Sequence, residues 1–279
     1  MYKNILSWNV AGLRARLKYD EKLDNSIIDT LFNQINEEKN ICEEYDIVCL
    51  QETKCTKEQV DDYLDDKIKA KYPYRYWNSS NGESQRKGLS GTSIWCTSQP
   101  IRELETPEFD NEGRILSLEF KDFILINVYV PNSQKLDSER YNFRINWNKK
   151  FLDYLINLKK LNHIIICGDF NVAHTDLDIC NPKQKKNKVA GFFDIERLDF
   201  GYMLDELNLI DIFRKNNPNI QKSTYWSNFL KSKRMGTNGW RIDYFLLSEE
   251  LLQKYICNIE IKKYILGSDH CPIVLNINI

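Results

Sequence analysis

The sequence predicts an α/β fold of two packed sheets covered by helices on the outside, and three observations carry that prediction. Short apolar runs rich in β-branched residues alternate with stretches of helical periodicity. Two of the apolar runs are joined closely enough to form a hairpin, and no Pro/Gly/Ser-rich linker, low-complexity tract or repeat divides the chain. With 279 residues, 42% apolar and 12% aromatic, the chain can bury a large core, so we expect one domain over residues 1–279.

The elements follow in order. "NILSWNV" (4–10) reads as a strand, and "DNSIIDTLFNQINEE" (24–38) reads as a helix, with Ile27, Ile28, Leu31, Phe32 and Ile35 on one face after an Asn25 or Ser26 cap. "DIVCLQ" (46–51) returns as a strand. "GRILSLEF" (113–120) and "FILINVYV" (123–130) flank Lys121–Asp122 as a hairpin. A helix at 138–160, the strand "HIIICGDF" (163–170), a helix near "RLDFGYMLDEL" (197–207) and the strands "YFLLS" (244–248) and "PIVLNINI" (272–279) complete the chain.

A net charge of −1 gives no global attraction to polyanions, so contact with nucleic acid must come from local patches such as "PKQKKNK" (182–188). No apolar run approaches the length that spans a bilayer, and the N-terminal residues do not resemble a cleavable leader. We therefore expect a soluble protein with no membrane partner. Its eight cysteines are scattered with no C-x-x-C pair, which argues against zinc and for a reducing intracellular compartment, nucleus or cytoplasm.

The informative regularity is where the strands stop. Asn9 follows "ILSW", Glu52 follows "IVCLQ", Tyr129 and Asn132 lie in "NVYVPN", Asp169 and Asn171 follow "IIICG", and Asp269–His270 lie in "LGSDHCP". Any one such ending is explained by turn and capping chemistry. Together they suggest a site assembled at one sheet edge from residues far apart in sequence. Glu52, with Asn9 or Asp269, offers hard oxygen donors suited to Mg²⁺ or Mn²⁺. Phosphodiester hydrolysis needs a base for the attacking water and donors on the developing charge. Asp169 could be the base, Asn171 the residue holding water or a phosphate oxygen, and His270 the donor, kept protonated by Asp243 in "GWRIDYFLL".

In their order and context, the motifs "LSWNVAGLRAR", "DIVCLQETK", "KGLSGTSIW", "EGRILSLEF", "NVYVPN", "GDFNVAH", "GWRIDYFLLS" and "LGSDHCPIVL" resemble the exonuclease III-like apurinic/apyrimidinic endonucleases of the endonuclease/exonuclease/phosphatase superfamily. The C-terminal half looks closest to the major eukaryotic enzyme. The resemblance implies a four-layered α/β sandwich of two mixed sheets flanked by helices. It also implies cleavage of double-stranded DNA on the 5′ side of an abasic site, leaving a 3′-hydroxyl and a 5′-deoxyribose phosphate, with 3′-end trimming as an additional activity. By the same resemblance Glu52 is the main metal ligand, with Asn9 beside it, and Asp269 lies near a second metal position. Asp169 and Asn171 serve base and water, and both also stand among the metal-site residues. Tyr129, Asn132 and His270 contact the scissile phosphate, and Asp243 orients His270. Where the family often carries Asp, this chain has Ala11, which removes a carboxylate from the metal surroundings. The stretch 19–45 is longer and more acidic than the family pattern.

An abasic pocket must accept an extruded sugar and exclude one still carrying a base. Tyr225, Trp240 and Ile242 match its apolar wall, with core packing as the alternative. Met235 could act as an apolar wedge in a groove. Arg14, Arg16, Lys18, Arg86, Lys87, Lys183, Lys185 and Lys186 are candidates for sequence-independent phosphate contacts, against the alternative of a solvated charged face. A monomer is expected. Competing readings are another phosphodiesterase of the superfamily, such as a retroelement-type or general nuclease or a phosphoinositide phosphatase, or an inactive DNA-damage binding module.

Overall fold

The computed structural model describes residues 2–20, 25–26, 35–36, 41–42, 44–61, 63–80, 89–227 and 238–279. Twelve strands form two six-stranded sheets. The strands are β1 (Tyr2–Asn9), β2 (Ile47–Gln51), β3 (Tyr74–Asn78), β4 (Thr92–Cys96), β5 (Arg102–Glu103), β6 (Ile115–Glu119), β7 (Ile124–Tyr129), β8 (Ile164–Asp169), β9 (Leu209–Asp211), β10 (Asp243–Ser248), β11 (Cys257–Ile261) and β12 (Ile273–Asn278). The first sheet runs β11-β12-β1-β2-β4-β3 and the second β9-β10-β8-β7-β6-β5. Each contains one parallel pair, β1 with β2 and β7 with β8, among antiparallel neighbours.

Those parallel pairs account for the apolar runs in the sequence. A central strand covered on both faces reads as continuous hydrophobic residues, as Ile47–Gln51 and Ile164–Asp169 do, every one of them buried. Alternation then divides the residues between faces. Ile5, Cys49, Ile94, Leu116, Leu125, Ile165, Cys167, Phe245 and Leu275 fill the space between the sheets. Leu6, Trp8, Val48, Leu50 and Trp95 face outward beneath α1 (Leu13–Leu17), and Ile124, Ile126, Ile164, Ile166, Tyr244 and Leu246 face outward beneath α4 (Glu139–Lys159) and α6 (Asp194–Glu206). The intervening helices are α2 (Glu58–Asp61), α3 (Asp66–Lys71) and α5 (Pro182–Lys185); α7 (Ile212–Asn216) and α8 (Glu249–Lys254) follow. The result is a four-layered α/β sandwich.

Helix α4 shows why its residues form a helix. Ser138 caps it, its side chain accepting from Tyr141 N, and Glu139 and Lys159 suit the two ends of the dipole. Trp147, Phe151, Leu155 and Leu158 make its buried stripe. At Gly168 the chain turns with φ 138°, and a Cβ there would lie 1.9 Å from Val128 O, so only glycine lets β8 end so close to β7.

One expectation is overturned. Instead of a helix over 24–38, Asn25–Ser26 pairs antiparallel with Tyr19–Asp20, and Ile35–Asn36 with Ile41–Cys42. Asn and Ser bond readily to nearby backbone in non-helical conformations, so the residues read as a cap sit in extended chain instead. The remainder of that expected helix lies outside the described residues. Among the described residues no helix is long and apolar enough to cross a membrane.

Candidate active site

The parallel pairing decides where the site is. It brings the C-terminal ends of β1, β2, β7 and β8 to one edge, placing Asn9, Glu52, Tyr129 and Asp169 there. Antiparallel β10 begins at that edge, with Asp243 directly opposite Asp169 in register. The loop before β12 adds Asp269 and His270.

The deepest part is a hydrogen-bonded chain. Asp169, Asp243 and His270 are all at least 96% buried. His270 Nδ1 lies 2.9 and 3.1 Å from the two Asp243 oxygens, and its Nε2 lies 3.7 Å from Asp169 Oδ2. Burial alone would lower the imidazole pKa, but Asp243 and then Asp169 outweigh it and raise it to about 10. The ring is therefore an imidazolium at neutral pH, with Nδ1–H donating to Asp243. Asp169 moves the other way from an ordinary carboxylate: burial raises it and the Asp243 charge adds to that, opposed by His270, Asn171 N–H and the Asn9 amide. Those donors are placed at 2.8 Å, from Asn171 N to Oδ1, and 2.9 Å, from Asn9 Nδ2 to Oδ2.

Asn171 adopts φ 47°, and its amide donates to Val130 O at 2.9 Å while its Oδ1 accepts from Asn132 Nδ2 at 3.0 Å. The "VPN" and "DFN" loops are thereby tied together. Asn9 Oδ1 accepts from Ala11 N at 3.0 Å, so its amide is oriented primarily to serve Asp169.

The other half of the site is open. Glu52 has φ 55° and a side chain one-fifth exposed, and Lys54 Nζ lies 2.7 Å from its carboxylate. The Tyr129 hydroxyl donates to Glu52 and lies within electrostatic reach of Asp169; burial first, then Glu52, pushes its pKa upward. A cleft of about 840 Å³ opens here, lined by Glu52, Lys54, Arg114, Tyr129, Asn132 and Arg140 among others. Asp269 sits on the far side, within the field of Tyr225, His270 and Arg16. Glu52 and its neighbours present carboxylate, carboxamide and phenol oxygens and no sulfur, a donor set that fits a hard divalent cation. Asp169, Asp243 and His270 also lie within 4.8 Å of one another, but the imidazole in that group is already committed to Asp243.

The remaining predicted residues divide. Tyr225, Trp240 and Ile242 do cluster, with the Tyr225 ring 4.8 Å from His270 and 6.4 Å from Trp240; Tyr225 and Trp240 are partly exposed, whereas Ile242 is buried against Ala173, Ile179 and Phe192. Arg14 and Lys18 are exposed and share a shallow cleft with Lys54, whereas Arg16 is half-buried near Asp269. Lys183 is exposed, Lys185 lies 5.0 Å above Trp240, and Lys186 pairs with Asp194. Arg86, Lys87 and Met235 lie outside the described residues. His174, close in sequence to Asp169, packs against Phe200 instead of entering the site.

Sequence reasoning missed the supports. Gln51 and Asn127 are buried between the sheets, Gln51 Nε2 donating to Asn127 Oδ1 at 2.7 Å and Asn127 Nδ2 to Leu50 O at 2.9 Å, directly below Glu52. Arg114 donates to Tyr129 O at 2.9 Å and stacks 4.6 Å from its ring. Ser268 Oγ donates to Asn9 O at 2.6 Å and Trp8 Nε1 to His270 O at 3.1 Å. Thr224 Oγ1 accepts from Asp243 N at 3.2 Å. The legible signal was a polar residue within an apolar run, as at Gln51 and Asn127.

The model of the endonuclease/exonuclease/phosphatase family matches residues 6–270, nearly the whole chain. The chain belongs to the endonuclease/exonuclease/phosphatase family. Within that family it is 37% identical over 278 residues to a Bacillus subtilis (strain 168) protein named exodeoxyribonuclease, covering 99% of each chain. It is 36% identical over 275 residues to the Danio rerio DNA repair nuclease APEX1, covering 97% of this chain and 81% of that one. Among solved structures, an AP endonuclease from Archaeoglobus fulgidus superposes with a TM-score of 0.80 at 26% identity, covering 99% of this chain and 100% of the other.

Proposed function

We propose that this single-domain, monomeric member of the endonuclease/exonuclease/phosphatase family is a DNA repair nuclease. It hydrolyses the phosphodiester on the 5′ side of an abasic site in double-stranded DNA, leaving a 3′-hydroxyl and a 5′-deoxyribose phosphate. The observation that carries the reading is the buried imidazolium of His270, held by Asp243 at 2.9 Å, beside a carboxylate, Asp169, whose pKa burial has raised. A fixed cation next to a proton acceptor is what attack of water on a phosphodiester requires. The relatives' names, DNA repair nuclease and exodeoxyribonuclease, support the substrate class.

In this reading Asp169 takes the proton from the attacking water and passes it to the 3′-oxygen that departs as its bond to phosphorus breaks, and Asn171 and Asn9 fix the carboxylate so that it needs no reorganisation. His270 donates through Nε2 to a non-bridging phosphate oxygen, while Asn132 donates from the other side and the Tyr129 hydroxyl, released from Glu52 once that carboxylate takes up a cation, does the same. Glu52, with Asn9 beside it, would hold Mg²⁺ or Mn²⁺, and Asp269 would stand by a second metal position. Such an ion supplies positive charge to the phosphate and the leaving oxygen. Tyr225 and Trp240, with Ile242 behind them, form the wall against which the extruded sugar packs. Arg14, Lys18, Lys183 and Lys185 grip flanking phosphates, which makes binding salt-sensitive. Cys49, Cys55, Cys96, Cys167, Cys180 and Cys257 are free thiols, which suits a reducing intracellular setting.

Trimming of 3′ ends is a second activity of the same centre, favoured by the name of the Bacillus relative. The test is incubation with Mg²⁺ of three substrates: a duplex carrying one tetrahydrofuran site, an undamaged duplex, and an inositol phosphate. A single incision 5′ to the tetrahydrofuran is expected. Preference for either of the other substrates, or binding without turnover, would reject the reading.

A further inference from the structure

Helix α4 carries an anomaly on its buried stripe. Trp147, Phe151, Leu155 and Leu158 continue backward by helical spacing to Arg144, a charged residue only 2% exposed. Its three donor groups are all used. Nη1 donates to Pro131 O at 2.6 Å and, at 3.4 Å, to Asn171 O; Nη2 donates to Phe170 O at 3.0 Å; Nε donates to Asn148 Oδ1 at 2.8 Å. All four acceptors are neutral. By contrast, two other buried arginines are ion-paired: Arg241 with the carboxylates Asp178 and Asp211 at 2.7 Å each, and Arg114 with Glu112 at 2.5 Å.

The choice of acceptors has a consequence. Pro131 immediately precedes Asn132, and Phe170–Asn171 immediately follow Asp169, so one planar guanidinium bridges the two loops that carry the proposed base and two of the phosphate- and water-binding amides. Placing a guanidinium in the interior without a direct ion pair is costly; burial lowers its pKa, and the more distant carboxylates of Glu196, Asp169 and Asp199 offset only part of that. A hydrophobic side chain at this stripe position would hold the helix more cheaply. We propose that Arg144 is a positioning residue for hydrolysis, setting the separation of Asp169 and Asn132 through main-chain carbonyls without touching substrate. This proposal rests on the nuclease reading for its kinetic consequence but not for its structural one.

The fold also provides a route to test it. A cavity of about 300 Å³ between α4 and α6 is lined by Arg144 together with Asn148, Glu196 and Asp199. In an Arg144→Ala variant, free guanidinium entering that cavity can occupy the vacated position. Arg144→Ala should lower single-turnover incision of a tetrahydrofuran duplex by about 10²-fold, the scale expected for sub-ångström to ångström misplacement of reacting groups, with duplex affinity nearly unchanged. Guanidinium at tens of millimolar, far below denaturing concentrations, should restore a large part of the rate, whereas equal NaCl should not. Arg144→Lys should remain impaired, because an ammonium cannot present the planar fork. Hydrogen–deuterium exchange over 130–132 and 169–171, without DNA, should rise in both variants and fall on adding guanidinium to the alanine variant.

Wild-type rates in either variant, or a loss that guanidinium leaves unrestored in both rate and exchange, would overturn the proposal. If Arg144→Ala does not fold, Arg144→Lys decides by rate and exchange alone. Should the wild-type protein leave the duplex intact, the nuclease reading fails, while the exchange result still decides whether Arg144 joins the loops.

Discussion

The two halves of the site are built differently. Asp169, Asp243 and His270 are buried, and their orientation is fixed by named partners, from Asn9 and Asn171 to Thr224 and Trp8. Around Glu52 the chain is open to a broad cleft, the backbone is in the left-handed region, and the carboxylate is held by the half-exposed Lys54 and the Tyr129 hydroxyl. The contrast teaches that the buried half is assembled in advance of any ligand and carries a fixed positive charge. The open half can exchange Lys54 for a cation with little rearrangement.

The largest effect should come from disabling the buried half. Asp169→Asn is expected to slow single-turnover incision by about 10²- to 10⁴-fold, with little change in duplex affinity because the group acts in the transition state. Equal losses in binding and rate would break the contrast. Because Asp169 has a raised pKa and must be deprotonated to act as base, the wild-type rate should rise with pH through neutrality.

Below that ranks the ionic cluster supporting Asp243. Asp178→Asn leaves Arg241 and Arg214 short of a partner that each holds at 2.7 Å or less, and breaking a buried pair in this way costs about 3–5 kcal/mol. A lower urea midpoint would show it. Asp178 is depressed: its burial is outweighed by Arg241 and Arg214. Its contribution is therefore present above the ordinary carboxylate range and lost as pH falls through the lower folded value, so the variant should also lose part of the wild type's acid sensitivity.

The open half should respond more gently. Glu52→Gln should raise the Mg²⁺ concentration needed for half-maximal rate by about 10- to 100-fold while leaving thermal stability unchanged. A fully metal-independent variant would contradict the assignment of Glu52. The smallest change is expected from Ala11→Asp. Ala11 sits at φ 47°, where Asp is better tolerated than Ala, and the new carboxylate beside Asn9 should modestly lower the Mg²⁺ requirement.

The parts of this arrangement that were legible in the sequence share one feature: a polar residue ends an apolar strand. Asn9, Glu52 and Asp169 could be read that way because parallel strands buried on both faces must be continuously apolar and stop abruptly, whereas His270 precedes its strand in the loop before β12. Arg114, Ser268 and Thr224 were not legible, since each acts through main-chain atoms of a residue distant in sequence, and nothing in their local pattern marks that partner. Arg144 was half-legible, because its place on the α4 stripe is visible while its acceptors are not. The helix expected from the periodicity of 24–38 failed for a related reason: local spacing alone does not exclude extended pairing at Asn25–Ser26.

The pre-assembled charge can be measured without substrate or metal. In an NMR titration of the free protein, His270 should stay doubly protonated through pH 8 to 9 and titrate near 10. The stability it shares with Asp243 should be fully present below the ordinary histidine value, near 6.5, and lost as pH rises through the folded one. Asp243→Asn should bring the titration down toward neutrality. A wild-type imidazole titrating near 6.5, unmoved by Asp243→Asn, would contradict the account.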